Sequence, residues 1–157
     1  MKKLLMFVGA VTLFGFVALI IAGTFAFIAL NKLNKEAEAY VETTLLDVAS
    51  EWSTDTFLEY AAPELLENTA EGALEKTLSD ASRQIGRIEE IIDLNCQTFS
   101  NASISEGKST TSDCLARATH ERGEGEFKIK VSKQDGIWLL SGFFITYFPA
   151  ENAPTEI

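Results

Sequence analysis

The sequence predicts an α+β chain: an N-terminal transmembrane helix, then three helices packed on a curved four-stranded antiparallel sheet. Three observations carry this. Residues 4–30 hold no charged side chain. Between 34 and 85 the apolar residues recur at three- and four-residue spacing, and from 88 onward they fall close to every second position. The helical and strand-like stretches are segregated rather than alternating, which is the α+β order.

The uncharged run Leu4 to Leu30 is 27 residues long. As a helix it spans about 40 Å at ~1.5 Å per residue, enough to cross a hydrocarbon core of about 30 Å with some tilt. A cleaved signal peptide is the competing reading, with Lys2 and Lys3 as its basic start. Its apolar core is only about 7–15 residues, and a small-residue cut near Thr24-Phe25-Ala26 would fall inside the run. The expectation is an uncleaved single-pass anchor over residues 1–33. Lys2, Lys3 and the amino terminus precede it and Lys32 and Lys35 follow, a slight bias toward a cytoplasmic N-terminus. In a bacterium this means the inner membrane, with the C-terminal domain periplasmic. Gly15, Ala18, Ala22, Ala26 and Ala29 recur at spacings of three and four, a small-residue stripe suited to contact with a neighbouring helix. Ordinary apolar filler is the alternative for that stripe.

Residues 34–148 form the predicted α+β domain, and 149–157 a flexible tail. A helix is read over 34–52, with Val41, Leu45, Val48 and Trp52 on one face; either Asn34 caps it or it runs on from the membrane helix with little linker. Ser53 and Thr54 cap a short second helix, Asp55–Ala62. Pro63 restarts the chain, with Leu65 and Leu66 inward. A third helix spans Glu71 to Gln84, and Gly86 stands just beyond it, where a C-terminal cap belongs. The strands are read as Ile88–Phe99, Asp113–His120, Glu126–Lys133 and Ile137–Phe148, with a Ser/Thr/Asn-rich loop over 100–112. Asn101-Ala102-Ser103 on that loop matches a glycosylation acceptor, which carries no weight in a bacterial chain. Asp135-Gly136 marks a tight hairpin. Closing it sets Val131 opposite Leu140, Ile129 opposite Gly142 and Phe127 opposite Phe144.

Beyond residue 31 there are 11 basic against 23 acidic side chains, a formal charge of −12. Residues 36–96 alone hold 15 acids and 3 bases. Such a surface repels phosphate, so nucleic acid is not an expected partner.

Two segments carry a resemblance to a known family. One is the helix-to-strand passage Ser82-Arg83-Gln84-Ile85-Gly86-Arg87-Ile88. The other is the hairpin string Gly136-Ile137-Trp138-Leu139-Leu140-Ser141-Gly142-Phe143-Phe144-Ile145. Over residues 36–148 the chain resembles the nuclear transport factor 2-like (cystatin-like cone) superfamily, in particular small exported bacterial members of unassigned function. The resemblance implies a cone of helices on a bent sheet. That superfamily includes isomerases, dehydratases, transport adaptors and assembly factors, so the fold does not choose a function.

If the first two strands pair about Ser105, Cys96 and Cys114 become cross-strand neighbours. An oxidising compartment would join them as a disulfide; a cytosolic domain would leave two reduced core cysteines. With no C-x-x-C and one histidine, no zinc set of Cys and His is complete, and no metal or cofactor is expected. A base inside the cone would have to come from Asp93, Asp113 or His120, with Tyr60 or Tyr147 as a hydroxyl donor. None stands in a recognisable catalytic motif, so no catalytic residue is assigned. His120, beside Glu121 and Arg122, reads as a solvated turn residue. Trp138, Phe127, Phe144 and Tyr147 are candidates for lining a pocket, with core packing as the alternative. The expected function is a membrane-anchored periplasmic binding or assembly subunit acting through protein contacts, its partners other membrane subunits or a self-associating helix. The alternative is a small-molecule binder or isomerase-like enzyme using the cavity of the cone.

Overall fold

The computed structural model describes residues 2–103 and 107–149, with side chains described at 23–24, 28–100 and 109–148. The chain divides into two compact units, Met1–Leu33 and Asn34–Ile157. The elements are α1 (Lys2–Glu51), α2 (Thr54–Tyr60), α3 (Pro63–Glu67), α4 (Ala73–Gln84), β1 (Ile88–Ser103), β2 (Gly107–His120), β3 (Gly123–Gln134) and β4 (Ile137–Pro149). Helices precede strands throughout, so the chain is α+β. Among the described residues no helix is long and apolar enough to cross a membrane. The run 4–30 and the stripe at Gly15, Ala18, Ala22 and Ala26 lie largely outside the described side chains; Ala29 is described and exposed. Of the expected tail 149–157, Pro149 instead ends β4 opposite Gly123, and residues 150–157 lie outside the described residues.

In the second unit, α1 buries one stripe: Ala37, Val41, Leu45, Val48 and Ala49 are inaccessible to solvent. These positions follow the 3.6-residue period. Of the two readings of its start, the helix takes the second: it runs on from the preceding segment and does not begin at Asn34. That residue is inside α1, and its Oδ1 accepts the backbone N–H of Thr98 at 2.9 Å. One turn on, Glu38 Oε1 accepts from Cys96 N at 3.4 Å. Two side chains of α1 thus occupy two of the free donors of β1, an edge strand that would otherwise offer them to another chain.

The helix ends at Trp52, whose φ of 52° is left-handed and strained for a bulky residue. The indole offsets this, since Trp52 is buried and its Nε1 donates to the Gly86 carbonyl at 2.8 Å. Ser53 then caps α2, as expected, its Oγ accepting from Thr56 N. The Pro63 restart is a helical turn of its own, α3, with Leu65 half-buried and Leu66 38 % exposed, both lining a groove with Phe57 and Phe143. Helix α4 buries Leu78 and Ala81, and Ile85 just beyond it is buried too. Gly86, with φ +73°, closes it as expected; a Cβ there would meet Glu121 Oε2 at 2.6 Å.

The sheet is an antiparallel meander in the order β1-β2-β3-β4. The first hairpin is longer than its composition suggests. The stretch read as a loop over 100–112 is mostly ladder, pairing Ser100 with Thr110 and Ser103 with Gly107. The hydroxyls hold it: Thr98 Oγ1 donates to Ser112 Oγ at 3.1 Å, and Ser100 and Thr110 are 3.4 Å apart. Cross-strand Ser and Thr pairs of this kind favour extended backbone. The final hairpin closes on Asp135-Gly136 and pairs Val131 with Leu140 as expected, but a bulge then intervenes. Beyond it Lys130 faces Gly142, Ile129 faces Phe143 and Phe127 faces Ile145. One extra residue shifts the register by one and exchanges the two faces of the strand. Phe143 therefore points to the helices and Phe144 to the other side.

Candidate functional site

Between helices and sheet the space is filled. Phe127 is fully buried, and Phe57, Leu45, Leu78, Val131 and Leu140 are at most 2 % exposed. Aromatic rings interlock: Phe57 meets Phe143 edge-on at 5.3 Å, and Phe143 meets Phe127 at 6.1 Å. Such pairs add ~0.5–1.5 kcal/mol beyond area burial. Trp138, 7 % exposed, closes one side, with Lys133 Nζ 5.3 Å from its ring and ion-paired to Glu36 at 2.7 Å. An opening between α2, α3, α4 and β4 measures about 100 Å³ and is lined by Phe57, Leu65, Leu66, Leu74 and Phe143. Ligand pockets are usually about 300–1,000 Å³.

His120 is buried in this interior, 4 % exposed, not solvated in a turn. Its ring stacks on Trp52 at 6.0 Å and lies 5.7 Å from Phe127. Nδ1 is 3.3 Å from the Gly86 carbonyl, which also accepts from Trp52, and Nε2 has no partner among the described atoms. Burial holds its pKa below the usual histidine value, against the opposing pull of the Gly86 carbonyl. Gly125 makes this packing possible, since a Cβ there would lie 2.8 Å from the Phe127 ring and 3.1 Å from Nε2.

The other candidates for acid–base work are dispersed. Asp93 and Asp113 are exposed, opposite Arg117 and Lys130 on neighbouring strands. Tyr60 donates to the Asp47 carboxylate, which pushes its pKa up to about 12. It thereby ties α2 to α1, with Tyr40 donating to its carbonyl at 3.3 Å. Tyr147 is half-buried on the helix-facing side of β4, its pKa raised by burial and by Asp80 of α4. Among the described residues no group of three or more His, Cys, Asp or Glu is placed to hold a metal ion.

Cys96 and Cys114 face each other across β1 and β2, as expected. Their Cα atoms are 4.1 Å apart and the sulfurs 1.98 Å, disulfide distance.

The open side of the sheet is different. Here lie Phe99, Leu115, Phe144 and Phe148, exposed by 51, 45, 72 and 53 %. At its centre is a shallow cleft of about 450 Å³, lined by Asn95, Gln97, Asp113, Leu115, Lys128, Lys130 and Phe144. The bulge creates this surface, because it turns Phe144 outward and sets Gly142 beside Lys130, where a Cβ would come within 3.2 Å of the lysine Cβ. Sequence reasoning paired Phe144 with Phe127 and so missed the face. The one available signal was Ser141-Gly142, a small polar pair in an apolar strand, which marks bulges. A second cleft, of about 480 Å³, lies at the turn between β2 and β3 and is acidic, with Glu89, Glu121 and Glu124 on its walls.

The chain matches no family model, no curated protein and no solved structure.

Proposed function

We propose that this chain is a membrane-anchored subunit that works through contacts with other proteins, its binding surface the open side of the sheet. The observation that carries the reading is the exposed apolar set Phe99, Leu115, Phe144 and Phe148 on a face no helix covers among the described residues. Exposed apolar groups gathered on one face mark interaction sites more often than isolated ones do. The filled interior favours contact over a cavity-based activity. The uncharged run 4–30 supplies the anchor, and a small-residue stripe along it gives a second surface for a neighbouring membrane helix. A paired Cys96 and Cys114 suits an oxidising compartment, in keeping with a periplasmic domain on a cytoplasmic N-terminus. The order of helices then meander is also what the nuclear transport factor 2-like resemblance implies.

The test is co-purification of the tagged full chain from its native membranes in mild detergent. A defined larger complex, lost on Phe144→Asp, is the expected result. Recovery only as a free monomer would overturn the reading.

A further inference from the structure

On the outer face of β3, Lys128 stands between two exposed apolar side chains. Leu115 is its neighbour on β2 and Phe144 its neighbour on β4. Other charges of the central face stand opposite charges of the other sign on the neighbouring strand. Lys130 pairs with Asp113 at 3.5 Å, and Arg117 stands opposite Glu126. Among the described residues Lys128 makes no ion pair. It is a cation in a chain of formal charge −10, and the acids concentrate on residues 36–96, the helical half.

We propose that this face docks an apolar segment of a partner protein that carries a carboxylate, and that the carboxylate pairs with Lys128 between Leu115 and Phe144. This rests on the protein-contact reading above and names the chemistry of the partner. Three arguments carry it. Apolar partner surface laid on Leu115 and Phe144 excludes water around the ammonium between them, and a pair formed in lower dielectric is stronger than one on an open surface. Bringing the ammonium under such a cover without an anion would cost more than it gains, so the apolar contact itself demands a carboxylate. The acidic helical half repels an acidic segment, which directs it to the sheet face and fixes orientation. The cleft of about 450 Å³, lined by Leu115, Lys128 and Phe144 among others, gives room for the carboxylate and its flanking side chains.

The experiment replaces Phe144 by p-benzoylphenylalanine in the full chain and irradiates intact cells. The expected product is a cross-link to one other polypeptide, within an apolar stretch containing Asp or Glu. Lys128→Glu should reduce that product about tenfold, Lys128→Arg should keep it, and changing the captured acid to Lys should restore it with Lys128→Glu. A cross-link to a second copy of this chain or to lipid overturns the proposal. So does a cross-link that Lys128→Glu leaves unchanged. If a complex co-purifies but Phe144 captures nothing, this inference falls and the protein-contact reading stands. If no complex co-purifies at all, that reading falls with it.

Discussion

Reduction of the pair Cys96–Cys114 should weaken the fold by an amount the chain length sets. The two residues are 18 apart in sequence. Cross-linking a loop of that size removes about 11 cal/mol/K of entropy from the unfolded chain, or about 3 kcal/mol at 25 °C. That is roughly two orders of magnitude in the unfolding equilibrium. Comparing oxidised with reduced wild-type protein keeps every heavy atom, so no cavity is made at two residues that are 3 and 4 % exposed. The assay is urea unfolding of the full chain in mild detergent, followed by tryptophan fluorescence, since Trp52 and Trp138 are both buried. With a slope near ~2 kcal/mol/M, reduction should lower the midpoint by about 1.5 M. The double variant Cys96→Ala with Cys114→Ala should show no response to reductant. A midpoint that moves by less than about 0.3 M would refute the reasoning, as would two titratable thiols in the native protein.

Three further outcomes are expected. His120 is held neutral by burial, so its folded pKa lies below the unfolded one; stability is complete above about pH 6.5 and is lost as pH falls, because the unfolded chain takes up the proton first. Melting temperature measured from pH 8 to 5 should drop on the acid side, and His120→Gln should flatten that drop. Phe127→Ala should cost about 3–5 kcal/mol of stability by urea titration, whereas Phe144→Ser should stay within about 0.5 kcal/mol; equal losses would place both rings in the core and remove the bulge. Asn34→Ala exposes the Thr98 donor, so its amide should exchange faster with solvent and stability should fall by about 1 kcal/mol; unchanged protection would show that the edge is covered by another group.

What was legible in the sequence followed periodicity and punctuation. The buried stripe of α1, the Ser53 cap, the Gly86 terminus and the Asp135-Gly136 turn each need only local residues, and each is found where local chemistry puts it. The Cys96–Cys114 pairing followed from loop symmetry alone, because the bulges of β1 lie nearer its start, before Asp93. The errors came from non-local compensation. Residues 100–112 looked like a loop because Ser and Thr are turn formers in isolation; paired with one another across a hairpin, their hydroxyls become ladder contacts. His120 looked solvated because its chain neighbours are charged, while its surroundings in space are Trp52, Phe127 and the Gly86 carbonyl. The sheet-face site was illegible for a single reason: its outward Phe144 depends on the register slip between Lys130 and Val131, which alternation alone does not reveal.

That slip divides β4 into two halves with separate constraints. Ile137–Leu140 is bound to the core in one phase, and Gly142–Phe148 in the opposite phase. Substitutions on the outer positions of the second half can therefore drift with a partner while the interior stays fixed. A change of length at the slip itself is absorbed. Deleting Ser141 removes the extra residue and leaves Gly142 against Lys130, Phe143 against Ile129 and Phe144 against Lys128, so both faces keep their residues and only the local kink is lost. Homologous chains that share the partner can therefore lack that residue and still present Phe144 outward.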